Sequence, residues 1–205
     1  MRPIDKVFNK IIENYDYFIF DLDDTIYAEK DYLFQQYARI AAYIESKYAY
    51  PSPIIKSWLE HRFLTKGRDR LFDELITHYS LSQSDFSQFL LILRTEKLPE
   101  KLKVFPKIKT FFELLIERKK KIFVITNGNV DQQKNKISHL DWEGMLEKIN
   151  FIYANETRVK PHSDSFYQSG IQDNEKTRSI MIGDSDSDQL FASNVGINFL
   201  FVHNL

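Results

Sequence analysis

The stretch Tyr17-Phe18-Ile19-Phe20-Asp21-Leu22-Asp23-Asp24-Thr25 decides how the rest of the chain reads. Four apolar residues followed abruptly by carboxylates predict a buried strand whose C-terminal end opens into a loop. In an open α/β sheet that edge is where ligands bind. Side chains two apart in an extended segment share a face, with Cα atoms roughly 6 to 7 Å apart, so Asp21 and Asp23 can address one small charged ligand. Such a pair suggests a divalent metal, a nucleophile and a proton donor within one short turn.

Working outward, residues 29–100 are rich in aromatic and long charged side chains. Tyr32-Leu33…Tyr37…Ile40-Ala41…Ile44 and Leu71-Phe72…Leu75-Ile76…Tyr79 place apolar residues at helical intervals. Pro51 and Pro53 mark a break, Ser82 or Ser84 is a candidate cap, and about four helices are expected. From Val104 onward strands and helices alternate, which predicts a parallel sheet covered by helices. The expected helices are 108–118, about 130–139, and one starting near 163–164. The expected strands are 121–125, 151–153, 178–182 and 198–202. Three of the apolar strands are followed by chemistry-bearing residues: Asp21/Asp23, Thr126/Asn127 and Asp184/Asp188. Strand ends of one parallel sheet converge on one edge.

Composition narrows the function classes. The 205 residues are 43% hydrophobic and 28% charged, enough for one domain with an insertion or for two small domains. With 28 basic and 29 acidic side chains there is no broad basic field for polymeric nucleic acid. The absence of cysteine removes disulfides, thiolate metal sites and cysteine nucleophiles. No apolar run is long enough to span a bilayer, and a cytoplasmic location is expected, with no membrane partner.

These residues resemble the haloacid dehalogenase superfamily of phosphotransferases, mostly magnesium-dependent phosphatases. Four motifs carry the resemblance in order: FIFDLDDTIY from Phe18, FVITNG at 123–128, Val159-Lys160-Pro161, and Gly183-Asp184-Ser185-Asp186-Ser187-Asp188. The resemblance implies a Rossmann-like α/β three-layer sandwich, 1–28 and 101–205, with an α-helical cap domain inserted at 29–100. It implies that Asp21 attacks phosphorus and becomes an aspartyl phosphate, and that Asp23 protonates the leaving alkoxide and then activates water. Thr126 and the backbone donors beside it, at Asn127 and Gly128, would hold the phosphoryl oxygens, and Lys160 would balance the negative charge. Asp21, the backbone carbonyl of Asp23, and Asp184 would bind Mg2+, with Asp188 orienting a metal-bound water or Lys160. Lys66 and Arg68, flanking Gly67 in the insertion, are candidates for substrate binding.

An acidic residue at position 23 favours a phosphate ester over a halide, because halide leaves without a proton. Only 33 residues separate Thr126 from Lys160, too few for the larger cap that other members insert there. The expected substrate is a small phosphorylated metabolite, a nucleotide or sugar phosphate, turned over by a monomer or homodimer. A phosphomutase, which protects the phosphoenzyme from water, and a catalytically idle scaffold are the alternatives. Asp184-x-Asp186-x-Asp188 also begins like a calcium loop, but Gln189 and Val195 stand where glycine and glutamate are needed. The five histidines lack zinc-site spacing. The chain ends soon after its last strand, which leaves coverage of that sheet edge in question.

Overall fold

The computed structural model describes residues 3–205. The chain divides into two compact units, one of residues 1–28, 103–133 and 140–205, the other of residues 29–102 and 134–139.

The first unit is an α/β sandwich on a five-stranded parallel sheet. Its strands are β1 (Tyr17–Phe20), β3 (Lys121–Thr126), β5 (Ile149–Tyr153), β6 (Ser179–Gly183) and β7 (Asn198–Phe201), in the order β5-β3-β1-β6-β7. Two two-residue strands, β2 (Leu102–Lys103) and β4 (Leu140–Asp141), lie outside it. β1 is central: Phe20 lies opposite Val124 on one side and Ile182 on the other. A strand buried on both faces reads as a continuous apolar run, which is why YFIF and IMIG were legible.

Alternation along β1 sorts its side chains into two layers. Ile19 joins Phe123, Ile125, Phe166, Met181 and Phe191 in one. Phe18 and Phe20 meet Phe111 and Phe112 of α6 (Pro106–Glu117) in the other, with the Phe20 and Phe112 ring centres 4.7 Å apart. Phe8 of α1 (Pro3–Asn14) packs on Phe111 at 4.7 Å. Each fully buried phenylalanine contributes roughly 1.5 to 3 kcal/mol.

Two helices of this unit lay outside the expected set. α1 is one, lying ahead of the first strand. α9 (Asp186–Val195) begins within the acidic motif, where polar residues hid its buried face of Asp188, Phe191, Ala192 and Val195. α8 is a single turn, Asp164–Tyr167. The last strand, β7, is a sheet edge, followed by a 3-10 turn at Val202–Asn204.

The second unit is helical: α2 (Glu29–Tyr48), α3 (Ser52–Lys66), α4 (Leu71–His78) and α5 (Asp85–Thr95), with the last six residues of α7 (Val130–His139). Pro51 and Pro53 do punctuate α2 and α3. Ser84 occupies the N-cap position of α5 without a side-chain capping bond. Trp58 is a packing residue, stacked on His78 with ring centres 5.4 Å apart. No helix among the described residues is long and apolar enough to cross a membrane.

Candidate active site

The three strand ends converge as the parallel topology requires. Asp21 follows β1 directly, its N–H donating to Ile182 O at 3.0 Å as though the ladder continued. The chain then turns tightly: Asp24 takes φ 53°, a left-handed conformation that aspartate tolerates better than most residues, and Ile26 N–H donates to Leu22 O at 3.0 Å. The turn brings Tyr27 back beside Asp23.

Lys160 is the cationic centre. It is buried, and its Nζ lies 2.5 Å from Asp21 Oδ1 and 2.6 Å from Asp188 Oδ1. Burial disfavours its ammonium form, but the two carboxylates outweigh that cost and hold its pKa above the usual lysine value. Burial also pushes the Asp21 carboxyl up to about 7, with Asp188 and Asp23 adding to the rise and Lys160 opposing it. Asp184 is raised as well, first by burial and then by Asp188.

Asp188 is held from both sides. Its Oδ2 accepts from Ser185 Oγ at 2.6 Å and Ser185 N–H at 3.3 Å, a capping box at the start of α9. This leaves Oδ1 for the lysine. Gly183 makes the arrangement possible, because a Cβ there would stand 2.5 Å from Asp188 Oδ2.

Asn127 clamps the backbone of Lys160. Its Nδ2 donates to Lys160 O at 3.0 Å, and its Oδ1 accepts from Lys160 N–H at 2.8 Å. The Asn127 side chain thereby locates the lysine. Gly128 N–H is also engaged, donating to Asn155 Oδ1 at 2.7 Å. Thr126, almost fully buried, ends β3 with its Oγ1 donating to Asn127 O at 3.2 Å.

Asp23, half-buried, accepts from Tyr27 Oη on Oδ1 at 2.6 Å and from Gln133 Nε2 on Oδ2 at 3.4 Å. The carboxylates that gather instead are Asp21, Asp184 and Asp188, with one oxygen of each within 4.8 Å of the others. Thr25 Oγ1 donates to Asp184 Oδ1 at 3.3 Å. Three carboxylates against one ammonium, all of them hard oxygen donors with Asp184 exposed, fit a hard divalent cation such as Mg2+.

Lys66 and Arg68 belong to the helical unit. Gly67 there terminates α3 at φ 71°, its N–H donating to Phe63 O at 2.8 Å. Arg68 pairs with Glu29 at 2.8 Å, and the buried Lys136 also meets Glu29, at 3.1 Å. Lys66 is exposed, 3.9 Å from Glu74. The loop is organised by Arg62, which was not singled out from sequence: it bonds Gly67 O at 3.0 Å, Asp69 O at 2.8 Å and both oxygens of Glu74.

Tyr27, Gln133 and Ser185 were likewise missed as site residues. Tyr27 stood inside the quoted motif and Ser185 within the acidic one, yet nothing in their spacing signals a carboxylate partner. Gln133 looks like any polar residue of a helical surface until the fold buries it.

The acidic cluster lies at the C-terminal edge of the parallel sheet, where α/β proteins of this class bind their ligands. The chain matches the haloacid dehalogenase-like hydrolase family over residues 18–202 and belongs to it. No curated protein sequence matches it. Among solved structures it is similar to a haloacid dehalogenase-type phosphatase from Thermococcus onnurineus, 21% identical with TM-score 0.56 over 91% of this chain and 85% of that one. It is also similar to a proposed β-phosphoglucomutase from Thermotoga maritima, 16% identical with TM-score 0.62 over 90% of this chain and 83% of that one. A proposed hydrolase of the same class from Bacillus subtilis, YfnB, whose structure is bound to magnesium, aligns at 15% identity with TM-score 0.59 over 91% and 86%.

Proposed function

We propose that this protein is a magnesium-dependent phosphatase that hydrolyses a small phosphorylated metabolite through an aspartyl phosphate on Asp21. The observation that carries the reading is the ion triad Asp21–Lys160–Asp188, with Asp23 two residues from the nucleophile. A buried ammonium bonded to Asp21 orients that carboxylate and offsets the charge of an incoming phosphate.

In the first half-reaction an Asp21 oxygen bonds to phosphorus as the bond from phosphorus to the leaving oxygen breaks, and Asp23 gives its proton to that oxygen to form the alcohol. In the second, Asp23 takes a proton from water as the water oxygen bonds to phosphorus. The bond from Asp21 to phosphorus then breaks, and inorganic phosphate leaves. Lys160 compensates phosphoryl charge throughout, held in place by Asn127 and Asp188. Asp21, Asp184 and the backbone of Asp23 would hold Mg2+, which when bound supplies further electrostatic stabilisation of the phosphoryl oxygens. The helical insertion at 29–100 is assigned the role of cap, which restricts the enzyme to small substrates. A nucleotide or sugar phosphate suits that role, with Arg68 and Lys66 its candidate contacts.

The test is phosphate release from a panel of small esters, with and without Mg2+, for the native chain and Asp21→Asn. Magnesium-dependent release lost in the variant is expected. Isomerisation of a sugar phosphate without release would make the protein a mutase, and no turnover of any ester by folded protein would refute the reading.

A further inference from the structure

Each oxygen of the Asp23 carboxylate is anchored by a neutral donor. Tyr27 is fully buried, and its hydroxyl donates to Oδ1 at 2.6 Å. Gln133, 3% exposed, reaches Oδ2 at 3.4 Å. Its Nε2 also donates to Asn127 O, so the amide nitrogen is shared between two acceptors. The amide lies against Gly128, whose φ of 116° favours glycine and where a Cβ would stand 2.7 Å from Gln133 Nε2. The opposite end of the amide, Oε1, is buried with no hydrogen-bonding partner. An orphaned buried acceptor destabilises the folded state, so the fold tolerates Gln133 here at a loss of stability. An apolar side chain of similar length would avoid that cost but could donate nothing to Asp23.

We propose that Tyr27 and Gln133 are positioning residues that fix the Asp23 carboxylate where a leaving oxygen departs, and so set which esters the enzyme can cleave. The inference rests on the phosphatase reading and deepens it. A proton donor must lie within hydrogen-bond reach of its acceptor in the transition state, and a carboxylate free to rotate spends much of its time elsewhere. Each oxygen of a carboxylate has two acceptor sites, so a bond from Tyr27 leaves Oδ1 able to serve the substrate as well. Alkyl esters, which leave as strongly basic alkoxides, depend on that proton. The 4-nitrophenyl ester, which leaves as a stabilised phenolate, does not.

The experiment compares kcat/KM for an alkyl phosphate and for 4-nitrophenyl phosphate in the native protein, Asp23→Asn, Tyr27→Phe and Gln133→Leu. This parameter reports the half-reaction in which the leaving group departs. Asp23→Asn sets the pattern, a large loss on the alkyl ester and a small one on the aryl ester. Tyr27→Phe and Gln133→Leu are expected to follow it, losing about tenfold or more on the alkyl ester and less than about threefold on the aryl ester. General structural damage would lower both esters together. Equal losses, or none, in both variants while Asp23→Asn stays selective would overturn the positioning role and leave the phosphatase reading standing. If the native protein cleaves neither ester, the phosphatase reading falls and this inference with it. Circular dichroism identifies any variant that fails to fold, and the other then carries the comparison.

Discussion

A methyl group at position 183 would meet Asp188 Oδ2 at 2.5 Å and Asp188 Cβ at 2.6 Å. The contact is with the root of the side chain as well as its tip, so rotation cannot relieve it. Gly183→Ala is therefore expected to push Asp188 off Lys160, at about 1 to 3 kcal/mol in stability. Turnover should fall by a larger factor than stability explains, because Lys160 loses one of the two carboxylates that hold it. Urea denaturation alongside phosphate release would check this, and unchanged turnover would show that Asp188 does not position the lysine. Ser185 acts through the same carboxylate, since its hydroxyl occupies the oxygen that Lys160 does not. The motif Gly-Asp-Ser-Asp-Ser-Asp thus combines a close approach, a cation ligand candidate, a helix cap and a lysine anchor within six residues.

Among elements, the join between α2 and α5 rests on a buried carboxylate. Asp85, the first residue of α5, is 1% exposed. It accepts from Lys47 Nζ at 2.5 Å, from Tyr43 Oη at 2.6 Å and from Tyr48 Oη. Burial would raise its pKa, yet these three hydrogen bonds outweigh burial and lower it. The sign follows from linkage: a carboxyl depressed in the folded state contributes stability that is full above its ordinary value near 4 and is lost as pH falls through the folded value. Asp85→Asn is expected to destabilise the protein by about 2 to 3 kcal/mol at pH 7. The gap to the native protein should narrow as pH falls below about 4. Chemical denaturation at pH 6 and pH 3 measures it, and a gap that does not narrow would show that the ionised form of Asp85 is not what holds the helices.

For the molecule as a whole, a cation held by the acidic cluster would couple its binding to folding. A ligand that binds only the folded state stabilises it by about 2.7 kcal/mol at a hundred times its dissociation constant. Mg2+ is therefore expected to raise the thermal midpoint in a concentration-dependent way, and EDTA to reverse the rise. Asp184→Asn should abolish it, because Asp184 is the exposed member of the cluster and is not committed to Lys160. An equal shift in the variant would place the cation elsewhere. The experiment needs no substrate, so it tests the cation site separately from the chemistry.

Much of this protein was determined by local pattern alone. The central strands could be read because a strand buried on both faces must be apolar throughout, and the carboxylates after YFIF and IMIG because charge at such an edge has few other uses. The helices of 29–95 could be read because their apolar residues repeat at helical intervals. What remained hidden depends on burial that only the folded chain creates. α9 lay unseen because its first turn is made of site residues and its apolar face is short. The clamp by which the Asn127 side chain holds the Lys160 backbone spans a separation of 33 residues. Tyr27 and Gln133 have no pattern of their own, and they became visible only when the tight turn at Asp24 and the start of α7 placed them on the two oxygens of Asp23. A hydrogen bond between distant residues leaves no periodic trace in a sequence. The side chains that hold the candidate groups in place were therefore decided by tertiary structure, while the candidates themselves stand out in the chain by pattern.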